Sequence, residues 1–395
     1  MAVRIAIAGC GGMANGHLRA YLTIYQRVPG KVEPIAMCDP IRENAERFAT
    51  QVEETTGKRP AVYTDIDEML DKEDLDGVDI CSPHGYHHIN AVKCLDAGVN
   101  VIVEKPIGVT VKATYKIIEA ARRNNRIAAT AEQIRRMPSR RASKWAIFEK
   151  GLIGEPRQFF SQQAVWVPPR EDARWAWRHD LFLGGGGMVM DSGAHFCDTI
   201  RWLYGDPDSV YARVEQLERR MVRKGEELVR SAHEDTWIAT INFRSGVIGL
   251  WSSTSSAPGY SFRHVVHYGS EGALVDSGDI YHGPFEGAKW VLKDGTEIPM
   301  SQIVQEYKES LSEEERERLF PHGFEDGVVL ECYDFVDAIE NGRPPEIPAE
   351  EGLRAKAIAE AIYESAAIGA EVSYDAVVSG EIEVYQRPIN EHWGL

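Results

Sequence analysis

Over the first 130 residues, short apolar runs alternate with amphipathic stretches. The runs at 4–8, 34–38, 77–81 and 100–103, with 126–131 leading out, are rich in Val, Ile and Ala. Between them, 42–51, 66–70, 88–97 and 114–124 repeat apolar positions at three- and four-residue spacing. Strand-length runs separated by helical periodicity predict βαβ units and a parallel sheet. The carboxyl ends of those strands would deliver Gly9, Asp39, Ser82-Pro83-His84 and Glu104-Lys105-Pro106 to one edge, where open α/β sheets bind ligands. After residue 131 the pattern changes. A helix near 140–150 precedes longer alternating strands at 158–165, 209–216, 236–243, 247–256 and 263–268, with turns such as Arg244-Ser245-Gly246 between them. Sequential strands predict a mainly antiparallel sheet. The run 313–318 interleaves both charge signs and predicts an exposed helix, and helices at 327–341 and 349–369 close the chain. The expected organisation is an α/β domain over 1–130 followed by an α+β domain over 131–395, whose large, open-faced sheet has helices on one face.

The junction of the first run with the first helix carries the strongest local signal. Arg4-Ile5-Ala6-Ile7-Ala8 leads directly into Gly9-Cys10-Gly11-Gly12-Met13-Ala14. This is Gly-x-Gly-x-x-Ala between a strand and a helix, the fingerprint of a Rossmann dinucleotide turn. Gly9 would permit the tight turn, and Gly11 would let the backbone approach a pyrophosphate. Gly12 and Met13 complete the turn, and Ala14 would allow close packing. The phosphates would sit at the helix N-terminus, where free N–H groups favour negative charge. Asp39 closes the second strand, where an acid binds the adenosine ribose hydroxyls, so NAD is the expected cofactor.

Composition narrows the class. A chain of 395 residues can bury two cores, and 43% hydrophobic with 27% charged content is that of a globular protein. No apolar run approaches the roughly 18 residues of a membrane span. Met1-Ala2-Val3-Arg4 runs straight into the first strand, so a cytoplasmic location is expected. A net charge of −17 argues against nucleic acid, which needs a basic surface. The six cysteines include no Cys-x-x-Cys pair and read as reduced, mostly buried side chains. Two arginine-rich segments, Arg135, Arg136, Arg140 and Arg141, then Arg170, Arg174 and Arg178, read either as solvated faces or as an anion pocket for an acidic sugar. His84, His87 and His88 lack a carboxylate or Cys at ligand spacing, so no metal is expected there.

Several motifs occur together in the order of one family. Gly9-x-Gly11-x-x-Ala14, Ser82-Pro83-His84-x-x-His87, Glu104-Lys105-Pro106, Gly184-Gly185-Gly186-Gly187-x-x-x-Asp191-x-x-x-His195, His233-Glu234-Asp235-Thr236 and Asn341-Gly342-Arg343-Pro344 span nearly the whole chain. As a set they resemble the glucose-fructose oxidoreductase/inositol dehydrogenase family. His84 departs from that pattern, which has Asn at this position. The resemblance implies that Lys105, Asp191 and His195 bind the reacting hydroxyl and relay its proton, with Ser82, Pro83, His84, His87 and Glu104 beside the cofactor. Chemical logic agrees: oxidising a secondary alcohol needs a hydride acceptor, a base, and positive charge near the developing alkoxide. His195 suits the base because imidazole titrates near neutral pH, and Asp191, four positions earlier, is expected on the same helical face. Trp175 and Trp177 suit a sugar face, and Arg135 and Arg178 suit its hydroxyls or an anion.

The expected activity is hydride transfer between NAD and a secondary hydroxyl of a sugar, glycoside or cyclic polyol. An alternative is an NAD-dependent glycoside hydrolase working by transient oxidation, elimination and hydration; a non-catalytic dinucleotide sensor is disfavoured by the intact Lys-Asp-His set. A sheet covered on one face only leaves an apolar face exposed, so a homodimer or homotetramer is expected.

Overall fold

In the computed structural model, residues 1–170, 176–276, 280–282 and 287–395 are described. They form two compact units, Met1–Gln133 with Phe320–Leu353, and Ile134–Leu319 with Arg354–Leu395.

The first unit is built on six parallel strands, β1 (Val3–Ala8), β2 (Val32–Cys38), β3 (Ala61–Tyr63), β4 (Gly77–Ile80), β5 (Asn100–Glu104) and β6 (Ala128–Ala131), in the order β3-β2-β1-β4-β5-β6. The helices α1 (Ala14–Arg27), α2 (Arg42–Thr56), α3 (Ile66–Lys72), α4 (His84–Asp96) and α5 (Val111–Asn124) connect them. The central strands are buried almost throughout, as a sheet flanked by helices requires. Local chemistry sets the helix ends. Thr110 Oγ1 caps α5 by accepting from Ala113 N at 3.2 Å, and Asn125 stops it in the left-handed region. Strand order reverses at β1 and β4, which is where such sheets bind nucleotides. Strand β3, three residues long, is too short to show a period in the sequence.

Phe320–Leu353 rejoins this unit. Thr130 N donates to Ile347 O at 2.9 Å, Ala129 bridges to Pro348, and Lys31 Nζ donates to Asp337 Oδ1 at 2.6 Å. The helix Gly327–Asn341 has the bounds expected from periodicity. Periodicity identifies a helix but not the partner of its apolar face, so the boundary at 130–131 did not anticipate this return.

The second unit contains α6 (Pro138–Phe148), β7 (Pro156–Ala164), α7 (Leu181–Gly184), α8 (Gly193–Tyr204), β8 (Pro207–Glu215), the hairpin β9 (Met221–Lys224) and β10 (Glu227–Arg230), β11 (Thr236–Phe243), β12 (Ile248–Thr254), β13 (Phe262–Gly269), β14 (Gly272–Asp276), β15 (Lys289–Leu292), β16 (Glu297–Pro299) and β17 (Val372–Ser373). Nine strands form one sheet in the order β16-β15-β14-β13-β7-β12-β11-β8-β17, antiparallel except for the pair β7 and β12. The main strands follow the expected alternation; the short strands β14 to β16 and the exposed β9–β10 hairpin carry too little apolar signal to have been anticipated. Helix α8 packs on the inner face through aromatic rings: Phe196 lies 4.9 Å from Trp251 and 5.9 Å from Phe159, and Tyr204 stacks on Phe159 at 5.8 Å. The cross-strand register puts Tyr211, Ile238 and Ile248 together on the outer face. The sheet is therefore mixed, mostly antiparallel and open-faced, as expected. The helix Glu313–Leu319 buries none of its residues, as its interleaved charges required.

Candidate active site

The glycine turn after β1 is held by strand ends. Gly9 has φ +94°, and a Cβ there would come within 2.7 Å of Cys81 C and Ser82 N, so no other residue fits. Gly9 N donates to Cys38 O at 2.8 Å. Gly11 and Gly12, by contrast, face open space. Helix α1 begins at Ala14 with no side-chain hydrogen bond capping its first turn, although Asn15 N and Gly16 N donate to Gly12 O and Met13 O at 3.3 and 2.8 Å. Open glycine backbone at such a terminus fits a dinucleotide pyrophosphate.

Asp39 is buried at the end of β2, and its carboxylate organises the turn: Oδ2 accepts from Cys10 N at 2.8 Å, and Oδ1 from Ile41 N at 2.8 Å and Asn44 Nδ2 at 3.2 Å. A carboxylate accepts about four hydrogen bonds, so capacity for a ribose hydroxyl remains. Arg42 ion-pairs with Glu46 at 3.2 Å, and Arg47 donates to Cys10 O at 2.9 Å.

The next strand ends are tied by His87. Its Nε2 lies 2.7 Å from Ser82 O and its Nδ1 3.0 Å from Pro106 O, linking the turn after β4 to the segment after β5. Burial pushes the His87 pKa down, against the pull of the two carbonyls. His84 is the first residue of α4, buried 5.5 Å from the His87 ring. Lys105 directly follows β5, at the same carboxyl edge as the glycine turn, while Glu104 is buried beneath it.

In the second unit, α8 begins at Gly193 after Ser192. Asp191 therefore lies in the preceding turn, its N bonded to Gly187 O at 2.9 Å, and not on a helical face shared with His195. Close-packed glycines delay the helix start. Asp191 Oδ2 accepts from Arg178 Nε at 2.7 Å, and that guanidinium also lies 4.3 Å from the centre of the Trp177 ring. His195 is buried on α8 with its ring 5.1 Å from that of His282. Arg135 is buried in a bidentate pair with Asp198, its Nε 2.7 Å from Oδ2, so its fork is committed within the fold. Arg136 and Arg140 are buried too, so the first arginine segment is not a solvated face. Arg174 and Trp175 lie outside the described residues.

The glycine run is a packed joint. Gly186 has φ +156° and would place a Cβ 2.6 Å from the Tyr363 hydroxyl. Gly187 N donates to Glu234 Oε2 and to the Tyr363 hydroxyl, both at 3.0 Å, and Val189 N donates to Glu234 Oε1 at 2.8 Å. Sequence reasoning noted Glu234 only as part of a motif; a charged residue beside an alternating strand, far from the glycines in the chain, gave no sign of that partnership. It also passed over His282 and His17. The signal for His17 was a lone polar residue on the apolar stripe of α1.

A parallel sheet in this order, with an open glycine turn and an acid closing its second strand, defines a dinucleotide-dependent dehydrogenase architecture. The chain belongs to the Gfo/Idh/MocA oxidoreductase family: residues 3–132 match "Oxidoreductase family, NAD-binding Rossmann fold" and residues 147–373 match "Oxidoreductase family, C-terminal alpha/beta domain". It is similar to the myo-inositol 2-dehydrogenase of Thermotoga maritima, 22% identical over 361 residues covering 89% of this chain and 93% of that protein. The levoglucosan dehydrogenase of Pseudarthrobacter phenanthrenivorans is 23% identical over 384 residues, covering 92% and 96%. The solved NAD binding oxidoreductase from Klebsiella pneumoniae superposes with a TM-score of 0.75 at 25% identity, covering 95% of this chain and 99% of that one. The protein is an NAD-dependent dehydrogenase acting on CH–OH groups. These relatives are named as dehydrogenases, which lends no support to the hydrolase alternative. No helix among the described residues is long and apolar enough to cross a membrane.

Replacing Glu234 by Ala leaves the Val189 N–H without its acceptor and removes one of two at Gly187. A loss of about 2 kcal/mol is expected, read as a lower denaturant midpoint. An unchanged midpoint would show that the joint does not depend on this carboxylate.

Proposed function

We propose that the protein transfers a hydride between NAD and a secondary hydroxyl of a sugar, glycoside or cyclic polyol. The observation that carries this is Lys105, an amine at the carboxyl edge of the dinucleotide sheet, directly after β5 and on the same edge as the open glycine turn. The nicotinamide, when bound, accepts or returns the hydride. Lys105 binds the hydroxyl oxygen and stabilises its developing negative charge. His195 takes the hydroxyl proton, and Asp191, its carboxylate held by Arg178, orients the substrate. Trp177 and Arg178 offer an aromatic face with a guanidinium against it, which suits the C–H face and hydroxyls of a sugar. The dehydrogenases for myo-inositol and levoglucosan among its relatives favour the same substrate class.

Lys105→Ala and His195→Ala are each expected to lower turnover by roughly two to four orders of magnitude, with NAD affinity nearly unchanged. If both act on one hydroxyl, the double variant will fall well short of the product of the single losses. Near-wild-type turnover in either single variant removes that residue from the mechanism.

NAD is expected to bind more tightly than NADP, because the Asp39 carboxylate would repel a 2′-phosphate and Arg42 is drawn to Glu46. Titration calorimetry checks this, and equal or tighter NADP binding would overturn the assignment of Asp39.

The outer sheet face supports a homodimer or homotetramer. Tyr211, Ile238 and Ile248 stand 45%, 56% and 54% exposed on one face of neighbouring strands, interspersed with Thr240, Asn242 and Ser252, a surface suited to burial between copies. Light scattering at micromolar concentration is expected to give a dimer or tetramer, and Ile238→Lys a smaller species. A wild-type monomer would contradict the assignment.

A further inference from the structure

Helix α1 buries Ala14, His17, Leu18, Tyr21 and Ile24 along one stripe, and His17 is the charged exception. Its two ring nitrogens each meet a carboxylate: Nδ1 stands 2.8 Å from Asp79 Oδ2 on β4, and Nε2 stands 2.9 Å from Glu104 Oε1 at the end of β5. From the helix Gly327–Asn341, Glu331 Oε1 approaches Nε2 to 3.7 Å and Cys332 Sγ lies 4.0 Å from Nδ1. Cys81 Sγ lies 3.3 Å from Asp79 Oδ1, and Tyr21 is the remaining titratable neighbour. All three carboxylate side chains are buried. A neutral imidazole has one N–H and could donate to only one of its two close carboxylates; only the imidazolium donates to both. Burial opposes that charge, but the Asp79 carboxylate against Nδ1 outweighs it and holds the His17 pKa well above its ordinary value.

The same atoms fall into two groups of metal-ligand type, His17 with Asp79 and Cys81, and His17 with Glu104 and Glu331. These use opposite ring nitrogens, and the 2.8 and 2.9 Å separations are those of a shared proton.

We propose that His17 is a positioning residue for hydride transfer: as an imidazolium it ties Glu104 to Asp79, fixing the end of β5 from which Lys105 is presented. This rests on the role given to Lys105 above. The segment is then anchored on both sides of the lysine, Glu104 by His17 and Pro106 O by His87 at 3.0 Å. Successive side chains of a strand point to opposite faces, so an anchor on Glu104 holds the backbone without occupying the reacting face. An amine displaced by about 1 Å costs on the order of a hundredfold in rate.

The test uses the full chain with NAD and a substrate that it oxidises. His17→Gln keeps a neutral hydrogen-bonding group and removes the charge. The expected result is a kcat roughly ten- to a hundredfold lower, with NADH affinity little changed. The double variant His17→Gln/Lys105→Ala should turn over no more slowly than Lys105→Ala. Near-wild-type kcat in folded His17→Gln, or full additivity in the double variant, overturns the proposal. Where His17→Gln does not fold, Glu104→Gln must show the same kcat loss and the same lack of additivity, and normal turnover there overturns it equally.

Nitrogen-15 NMR of histidine-labelled protein reads the charge without activity. Both His17 ring nitrogens should remain protonated well above the pH at which free imidazole is neutral, and a neutral tautomer there overturns the proposal, as does a stoichiometric metal ion lost in His17→Gln. Because the folded pKa is raised, the stabilisation from His17 is fully present below the unfolded value of 6.5 and is lost as pH rises through the folded value. The stability difference between wild type and His17→Gln should therefore shrink toward alkaline pH. If Lys105→Ala itself keeps normal turnover, the reading of Lys105 fails and takes positioning with it, while the NMR result stands independently.

Discussion

The approach of Gly9 to the Cys81–Ser82 backbone is the constraint on which the first unit depends. A Cβ at Gly9 would sit 2.7 Å from both Cys81 C and Ser82 N, so the ends of β1 and β4 can be this close only because that side chain is absent. The same residue donates its N–H to Cys38 O at 2.8 Å, bringing in the end of β2. Three strand ends converge on one glycine. From there the chain turns into α1 with its first N–H groups uncapped by a side chain, and Asp39 secures the turn from beneath through Cys10 N. Closure of the fold at this edge thus rests on a few backbone atoms of the glycine turn.

Within each unit, buried polar groups tie together segments distant in the chain. Replacing a buried ion pair with apolar packing is often neutral or stabilising, whereas removing one partner is costly. His87 links two backbone segments at the sheet edge, and Glu234 holds the glycine joint before α8. Arg135 and Asp198 join the chain near the start of the second unit to α8. In each case a polar side chain crosses between segments that the apolar core would leave free to slide. Such contacts suit a reaction whose groups must be held to within a fraction of an ångström.

Family membership and the Rossmann geometry of the first unit make the protein an NAD-dependent oxidoreductase. In the second unit Arg178 lies against the Trp177 ring and on Asp191, and His195 stands beside His282.

The sequence by itself determined what is local. The alternation of strand and helix periods predicted the parallel sheet and five of its six strands, and the Gly9–Ala14 turn with the acid at Asp39 predicted a Rossmann dinucleotide domain. Glycine and proline chemistry, capping residues and periodicity act over a few residues, so they can be read from the chain directly. Only the tertiary structure decided which distant groups meet. It committed Arg135 to Asp198, took Asp191 off the helix of His195 by delaying the start of α8 to Gly193, and set Glu234 against Gly187. It also returned Phe320–Leu353 to the first unit and enclosed His17 between Asp79 and Glu104. Those partners lie tens to hundreds of positions apart, and a charged residue looks the same in a sequence whether it faces water or a buried counter-charge.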